Sequence, residues 1–394
     1  MKIKVGVIFG GETVEHEVSI ISAVQAMNNI DEEKYEIIPI YISKDRIWYT
    51  GRMLRDIDVY KDFETLKKYA KKVVIYKKDG SFYVQSTGFF KRILNELDIA
   101  FPIVHGNNTE DGSLQGYLDT LGIPYVGSRV LGSALGQDKV VMKQVMKSEG
   151  IPIVPYTWFY DIEYISDKDK VIKEVNKIGY PVIVKPATLG SSVGINVVKT
   201  EDKLNSAIED AMKYDRKVVV EKTVDNLLEV NCSVLGNYEY QQTSAIEEVM
   251  GTDEFLTYKD KYIGNAKGGK SKGMVSTDRV IPARIDKELD EEIRNLAKKA
   301  FMALNLNGLC RIDFLVDKET KKVYVNEPNT IPGSLSFYLW EPIGKKYTSL
   351  LDDMISLAIK DYKTRSKKTY SFETNILSNF NGSKGSKGSK TKLK

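Results

Sequence analysis

Apolar and polar positions follow two different periods in the first 130 residues. Short apolar runs at Lys4–Phe9, Tyr35–Ile42 and Asp98–His105 have the length of buried strands, and helical spacing appears at about Glu17–Asn28 and Ser113–Leu121. Strand, glycine turn and helix in this order are typical of a parallel α/β sheet, which binds ligands beyond the carboxyl ends of its strands. The pattern predicts a Rossmann-like N-terminal domain over residues 1–130, with His105 at a ligand-facing strand end.

A β-rich section follows over residues 131–225. The pattern predicts a helix at Ala134–Ser148, strands at Pro155–Tyr160 and Lys217–Lys222, and between them two β-rich runs joined by GSSVG at residues 190–194. A glycine-serine loop between antiparallel strands can bind phosphate through N–H and hydroxyl groups, and Lys185 on the incoming strand can reach the same anion. A flexible hairpin turn is the alternative interpretation.

The third section, residues 226–364, contains a hairpin with a distinctive polar face. Its predicted strands are Arg311–Val316 and Tyr324–Asn329, in a register that pairs Val316 with Tyr324. Because side chains alternate along strands, this register places four polar residues on one face: Arg311, Asp313, Glu327 and Asn329. Two carboxylates and an amide oxygen suit Mg²⁺, whereas a solvated face with a surface ion pair is the alternative.

The sequence after this hairpin favours the metal site. Residues 329–333 read NTIPG, a turn that exposes backbone N–H groups suited to an anion.

Residues 251–278 are polar, rich in glycine and without apolar periodicity, which is typical of a lid over an active site. Lys261 and Tyr262 within that stretch are candidates for closing over a bound nucleotide.

Composition limits the class of protein. The chain has 394 residues and 42% apolar content, enough for two or three packed domains, and its apolar runs are too short to cross a bilayer. Two cysteines provide no disulfide framework and suit a reducing cytosol, so we expect a cytoplasmic protein. The C-terminal residues 365–394 hold eight Lys or Arg and one Glu, which is a net charge of +7. Because the whole chain has a net charge of +4, the remaining residues carry about −3. We expect this tail to be disordered and without a catalytic role, in preference to binding nucleic acid or lipid.

Six motifs in order carry a resemblance to a known family. They are EHEVS, HGNNTEDGSLQG, KPATLGSSVG, EVNCSVLGN, RIDF and NEPNTIPG. Together they resemble the D-alanine–D-alanine ligase family of ATP-grasp enzymes, from the first strand to about Asp361. The resemblance implies an α/β fold (α+β overall) in three parts, with limits near residues 130, 225 and 364, and ATP gripped between the antiparallel sheets of the last two parts.

The resemblance also implies roles for individual residues. Lys139, Lys185, Gly190 and Ser192 would hold ATP phosphates, and Lys261 would reach the γ-phosphate. Glu221, Lys222 and Glu229 would hold adenine and ribose, and Asp313, Glu327 and Asn329 would bind two Mg²⁺ (or Mn²⁺) ions. Glu15 would orient the ammonium of a first D-amino acid, coupled through Ser191 to Tyr262, although acids at a helix start also simply favour the helix dipole. Arg311 and the Gly333 N–H would form an oxyanion hole, and His105 and Tyr338 would contact substrate.

The implied reaction is dipeptide synthesis for peptidoglycan through an acyl phosphate. One departure from the family bears on the acceptor: Tyr338 falls about where a small hydroxyl residue belongs. Two alternatives therefore stay open, a ligase with another acceptor such as D-serine or D-lactate, and a nucleotide-binding protein without turnover. The expected partners are small molecules and, by family precedent, a second copy in a homodimer, with no nucleic acid or membrane.

Overall fold

Three β-sheets follow one another along the chain. The structure is a computed structural model that describes residues 2–190, 193–250 and 279–372. The predicted lid at 251–278 with Lys261 and Tyr262, the loop residues Ser191 and Ser192, and the tail from residue 373 lie outside the described residues. Each sheet lies within one of the three predicted sections, whose limits remain a prediction.

The first sheet has seven strands in the order β6-β5-β4-β3-β2-β1-β7. The aliphatic strand β1 lies parallel to β2 and β7, as predicted, but β3 to β6 extend the sheet antiparallel, so the sheet is mixed. The strands are β1 Ile3–Gly10, β2 Tyr35–Ile42, β3 Trp48–Thr50, β4 Lys71–Lys78, β5 Ser81–Ser86, β6 Ile93–Leu97 and β7 Ile99–Val104. The helices of this section are α1 His16–Met27, α2 Phe63–Tyr69 and α3 Ser113–Leu121.

The second sheet is antiparallel, with the order β10-β9-β11-β8. Its strands are β8 Tyr156–Tyr160, β9 Val182–Pro186, β10 Asn196–Val198 and β11 Lys217–Lys222. The helices are α4 Val130–Gln137, α5 Lys139–Ser148, α6 Asp161–Ser166, α7 Lys168–Ile178 and α8 Leu204–Ala211. The prediction of one helix over Ala134–Ser148 was wrong, because Asp138 leaves the helical conformation and accepts the N–H groups of Val140 and Val141, which starts α5 as a new helix.

The third sheet, β14-β13-β12-β15-β16, is also antiparallel. Its strands are β12 Leu227–Gly236, β13 Gln241–Val249, β14 Arg279–Val280, β15 Gly308–Asp317 and β16 Val323–Asn329, with helices α9 Lys287–Ala303 and α10 Tyr347–Arg365. The predicted pairs Asp313–Glu327 and Arg311–Asn329 are confirmed. The predicted pairing of Val316 with Tyr324 was wrong, because an irregularity after Asp313 shifts the register and Val316 pairs with Val323.

The cores show how the sections are joined. One apolar cluster joins the first sheet to the fully buried Trp340 and the inner face of α10, whereas the third sheet packs on α9 and α5 in a separate cluster. The second sheet has a cluster of its own with α7 and α8. Cys232 and Cys310 are buried free thiols. Across the described ranges no helix combines the length and apolar content needed to cross a membrane.

Candidate active site

A cavity lies where the second and third sheets approach segments of the first section. Eleven predicted residues line it: Glu15, His105, Lys139, Lys185, Gly190, Glu229, Arg311, Asp313, Glu327, Asn329 and Gly333. Glu221 lies just beneath the lining, Tyr338 reaches the lining residue Glu247, and Lys222 lies outside it. The fold therefore brings together most of the described candidate residues, although they span more than 300 positions of the chain.

The polar face of the β15-β16 hairpin forms one wall. Arg311 donates to Asp313 through Nε at 2.6 Å and Nη2 at 2.8 Å, and Asn329 Nδ2 donates to Asp313 Oδ2 at 3.0 Å. Burial opposes the charge on Arg311, but the pairing with Asp313 outweighs it and raises the pKa of the guanidinium well above its ordinary value. Pro328 lies on the edge strand β16, where its missing N–H costs no internal ladder bond.

The donor set on this face suits a hard cation. Asp313, Glu327 and Asn329 offer oxygen atoms, which Mg²⁺ prefers, and Lys139 Nζ lies 3.3 Å from Glu327 Oε2. Nowhere in the described part of the chain do three or more His, Cys, Asp or Glu side chains form a group that could hold a metal. With two carboxylates and one amide, the site would complete the coordination of a metal ion with phosphate oxygens or water.

A buried cluster of charges supports Lys185 below the cavity. Glu221 accepts Lys185 Nζ at Oε2 (2.8 Å), and Lys143 Nζ lies 3.1 Å from Oε1. Burial alone would raise the pKa of Glu221, but the two ammonium groups lower it to about 2. Burial and the neighbouring Lys185 lower the pKa of Lys143. Sequence reasoning missed Lys143, although its position four residues after Lys139 places both on one face of α5.

The start of the glycine loop lies between Lys139 and Glu15. Lys139 Nζ donates to the Leu189 carbonyl at 2.9 Å, so it holds the start of the glycine loop. A Cβ added at Gly190 would lie 2.7 Å from Glu15 Oε2, which shows how closely the loop passes that carboxylate. Lys222 Nζ donates instead to the Tyr180 carbonyl at 2.8 Å.

Glu110, which lies in the HGNNTEDGSLQG motif, ties the first section to the segment after the hairpin. Its Oε1 accepts Thr330 Oγ1 at 2.8 Å and the Ile331 N–H at 2.9 Å, and its Oε2 accepts the Gly106 N–H at 3.0 Å. Burial and then the charge of Glu15 raise the pKa of Glu110 to about 7. Burial lowers the pKa of the neighbouring His105 to about 4, so this imidazole is neutral at pH 7.

The segment after Gly333 turns sharply. Ser334, Leu335 and Ser336 all have φ near +50°, a conformation that costs roughly 1–2 kcal/mol for each L-residue. The Ser334 N–H donates to Ser22 Oγ at 2.9 Å, and Ser22 Oγ lies 3.3 Å from His105 Nε2, so groups of the first section hold this turn. The turn directs Tyr338 toward the cavity.

Comparison with known proteins identifies the family of this arrangement. The family model described as "D-ala D-ala ligase N-terminus" matches residues 4–128, and "D-ala D-ala ligase C-terminus" matches residues 145–356. The D-alanine–D-alanine ligase of Thermosipho melanesiensis is 40% identical over 377 residues, which cover 95% of this chain and 98% of that one.

Solved structures agree with the sequence comparison. The D-alanine–D-alanine ligase from Coxiella burnetii has a TM-score of 0.79 at 28% identity and covers 96% of this chain and 98% of its own. The VanG D-Ala:D-Ser ligase from Enterococcus faecalis has a TM-score of 0.76 at 31% identity and covers 91% and 100%. The Bacillus anthracis D-alanine–D-alanine ligase complexed with ATP has a TM-score of 0.66 at 26% identity and covers 92% and 99%.

Proposed function

This chain belongs to the D-alanine–D-alanine ligase family, whose ATP-grasp fold it has, and from that premise we propose that it joins two D-alanine molecules for peptidoglycan synthesis. The enzyme is an ATP-dependent ligase that forms a carbon–nitrogen bond. The observation that carries the proposal is the hairpin face, where Arg311, Asp313 and Asn329 are hydrogen-bonded together in the cavity that Lys139 and Lys185 also line.

The two lysines and the glycine loop would receive the ATP phosphates. Lys185 is fixed by Glu221, and Lys139 by Leu189 and Glu327, so both ammonium groups are oriented before nucleotide binds. We assign Gly190 to the same phosphate site, together with Ser192 and Lys261 from outside the described residues. Asp313, Glu327 and Asn329 would hold two Mg²⁺ (or Mn²⁺) ions, which would offset charge on the phosphoryl oxygens.

The nucleoside would lie beyond the phosphates. We assign adenine and ribose to Glu221, Lys222 and Glu229, of which Glu229 lines the cavity. Lys222 is already engaged by the Tyr180 carbonyl, so its part would be to fix the end of β11 beside the base.

The substrates would lie at the end of the cavity near the first section. Glu15 would accept the ammonium of the first D-alanine, with Ser191 and Tyr262 completing that contact, and the neutral His105 would lie beside it. The carboxylate oxygen of this D-alanine attacks the γ-phosphorus, and ADP leaves. The amine of the second D-alanine then attacks the acyl carbon, the bond from that carbon to the phosphate oxygen breaks, and inorganic phosphate and one amine proton are released.

Arg311 and Gly333 would stabilise the tetrahedral species between these steps. A guanidinium and a backbone N–H at one end of a buried cavity are the donors that a developing oxyanion requires. Removing one such donor typically costs about 2.7–4 kcal/mol of the barrier.

We further propose a cytoplasmic enzyme that acts on small molecules and forms a homodimer. The buried free thiols are compatible with a reducing compartment. The homodimer follows family precedent, and analytical ultracentrifugation of the purified chain would test it.

Product analysis tests the proposed reaction. The purified protein is supplied with Mg-ATP and D-alanine, alone and with D-serine, D-lactate or L-amino acids, and phosphate release is measured with mass spectrometry of products. D-alanyl-D-alanine from D-alanine alone is the expected product. A product formed only with another acceptor would favour a ligase of different acceptor specificity. Two observations support that second candidate function, the position of Tyr338 beside Glu247 and the similarity to the VanG D-Ala:D-Ser ligase.

A further inference from the structure

One cation of the cavity has no part in the proposed reaction. Among the residues that the structure describes, four cationic side chains line the cavity: Lys139, Lys185, Arg279 and Arg311. The two lysines belong to the phosphate site, and Arg311 is bound to Asp313. Arg279 belongs to β14, the short edge strand beside β13, and family motifs did not point to it.

The Arg279 side chain is held from two directions. Its guanidinium carbon lies 4.4 Å from the centroid of the Tyr338 ring, and Nη1 lies 3.2 Å from Glu247 Oε2. Glu247 is itself fixed, because its Oε1 accepts Asn231 Nδ2 at 2.6 Å and lies 3.4 Å from the Tyr338 hydroxyl. Only 15% of the Arg279 side chain and 4% of the Glu247 side chain are exposed. The guanidinium is therefore positioned before any ligand arrives, which reduces the entropy cost of binding.

The location of this group matches the acceptor side of the reaction. Tyr338 lies five residues after Gly333 in one continuous turn, so the stacked Arg279 lies on the same side of the cavity as the oxyanion donors. The acceptor must bring its own carboxylate into a cavity that already holds the carboxylates of Glu247 and Asp313. A buried carboxylate needs a cationic partner, and arginine binds it with two parallel hydrogen bonds.

We propose that Arg279 binds the carboxylate of the acceptor amino acid, with Tyr338 and Glu247 as the residues that orient its guanidinium. The inference rests on the proposed function, because it presumes an amino-acid acceptor. It makes Arg279 a residue that selects acceptors with an α-carboxylate over the corresponding amides.

The test compares acceptors that differ only in this carboxylate. With saturating Mg-ATP, products are measured by mass spectrometry. D-Alanine alone is varied as both donor and acceptor and its two sites are fitted separately, and D-alaninamide, D-serine and D-serinamide are each varied as acceptors with D-alanine as donor. The variants are Arg279→Met, Arg279→Lys and the control Arg284→Met. Arg284 pairs with Glu248, the next residue along β13, but its side chain is 60% exposed on the other face.

We expect Arg279→Met to lower kcat/KM for the carboxylate acceptor about 10- to 100-fold, to bring its ratio over the amide acceptor close to one, and to leave the KM for ATP unchanged. Arg279→Lys should recover part of the preference for the carboxylate acceptor, since lysine keeps the positive charge but cannot form the two parallel hydrogen bonds of a guanidinium. Arg284→Met should match the wild type. Thermal denaturation of each variant separates lost folding from lost selectivity, because a merely structural role would slow both acceptors equally.

Three outcomes would overturn the inference. An unchanged acceptor ratio in both Arg279 variants would exclude a contact with the carboxylate. A raised KM for ATP with unchanged acceptor preference would place Arg279 in the phosphate site. A wild-type enzyme that forms no product with any acceptor would contradict the proposed function as well, whereas the first two outcomes would leave that function intact.

Discussion

Glu110 shows how much of the site depends on single contacts between distant residues. Its carboxylate is separated by 220 positions from Thr330, whose hydroxyl it accepts, and it is buried. Thr330 and Ile331 lie between Asn329 and Gly333, the residues proposed for metal binding and the oxyanion hole. Glu110 therefore holds the segment that carries both residues.

The raised pKa of Glu110 predicts a pH dependence of stability. Between pH 4.5 and about 7 the folded state binds more of this proton than the unfolded state, so this carboxyl lowers the free energy of unfolding as pH rises, by at most about 1.4 kcal/mol per pH unit. His105, with its pKa lowered to about 4, acts in the opposite direction between pH 4 and 6.5, where stability rises with pH. In Glu110→Gln only the second trend remains, so its stability should rise more steeply with pH than that of the wild type.

Urea unfolding from pH 4.5 to 7.5 measures this difference in slope. A constant offset between the two proteins reflects the altered hydrogen bonds and does not bear on the proton. Asp111→Asn is the control, because the Asp111 carboxylate accepts the local N–H groups of Asn108 and Ser113. Parallel curves for Glu110→Gln and the wild type would show that Glu110 is ionised throughout this range.

Single residues differed in how far the sequence could predict them. Arg311, Asp313, Glu327 and Asn329 could be placed together because strand alternation and a short hairpin determine which side chains share a face. The contact of Glu110 with Thr330 could not be predicted, because it depends on the packing of two sections. Arg279 follows directly on a stretch without periodicity, so no local pattern indicated that its side chain enters the cavity.

The β15-β16 hairpin is the element on which the proposed chemistry depends. Its bulge after Asp313 changes the pairing toward the turn but leaves the Asp313–Glu327 and Arg311–Asn329 pairs in register. The polar face therefore tolerates the irregularity, which lies on the side of the hairpin away from the turn at residues 330–333.

Neutralising either carboxylate of this hairpin should remove ATP turnover. Asp313→Asn or Glu327→Gln should lower kcat roughly 10²- to 10³-fold, because the metal would lose an anionic ligand and would bind more weakly beside the phosphates, while circular dichroism stays that of the wild type. Asp317→Asn is the matched control on the same strand, since the Asp317 carboxylate accepts the Glu319 and Thr320 N–H groups of its own turn and does not line the cavity. Turnover retained in either site variant would mean that the metal lies elsewhere.

Other elements show where sequence patterns fail. The buried strands β1, β2 and β7 were predictable from their continuous apolar runs. The break between α4 and α5 was hidden by apolar periodicity that continues through Asp138. The antiparallel extension of the first sheet was not predicted because its strands are short or carry charged, exposed residues.

At the scale of the whole molecule, the cavity lies between units with separate cores. One core joins the first section to α10, the third sheet packs on α9 and α5 in a second core, and the second sheet has a third. Groups from both sides meet at the cavity, as in the contact of Lys139 with Glu327. A nucleotide that bridges them would restrict the second sheet relative to the rest of the molecule.

Amide hydrogen exchange tests this view. Addition of a non-hydrolysable ATP analogue with Mg²⁺ should slow exchange in β9, β10 and the start of α5, because a nucleotide that contacts both sides of the cavity would restrict the second sheet. Exchange in β1, β2 and β7 should change little. Equal protection of all three sheets would contradict a separately moving second sheet.

The transfer of ¹⁸O from substrate to phosphate tests the central claim most directly. D-Alanine labelled with ¹⁸O in both carboxylate oxygens is incubated with Mg-ATP and the enzyme, and the inorganic phosphate is analysed by mass spectrometry. If the carboxylate is activated as an acyl phosphate, each phosphate released carries one ¹⁸O, and the new peptide bond keeps the other. Unlabelled phosphate, or AMP and pyrophosphate as products, would contradict the account.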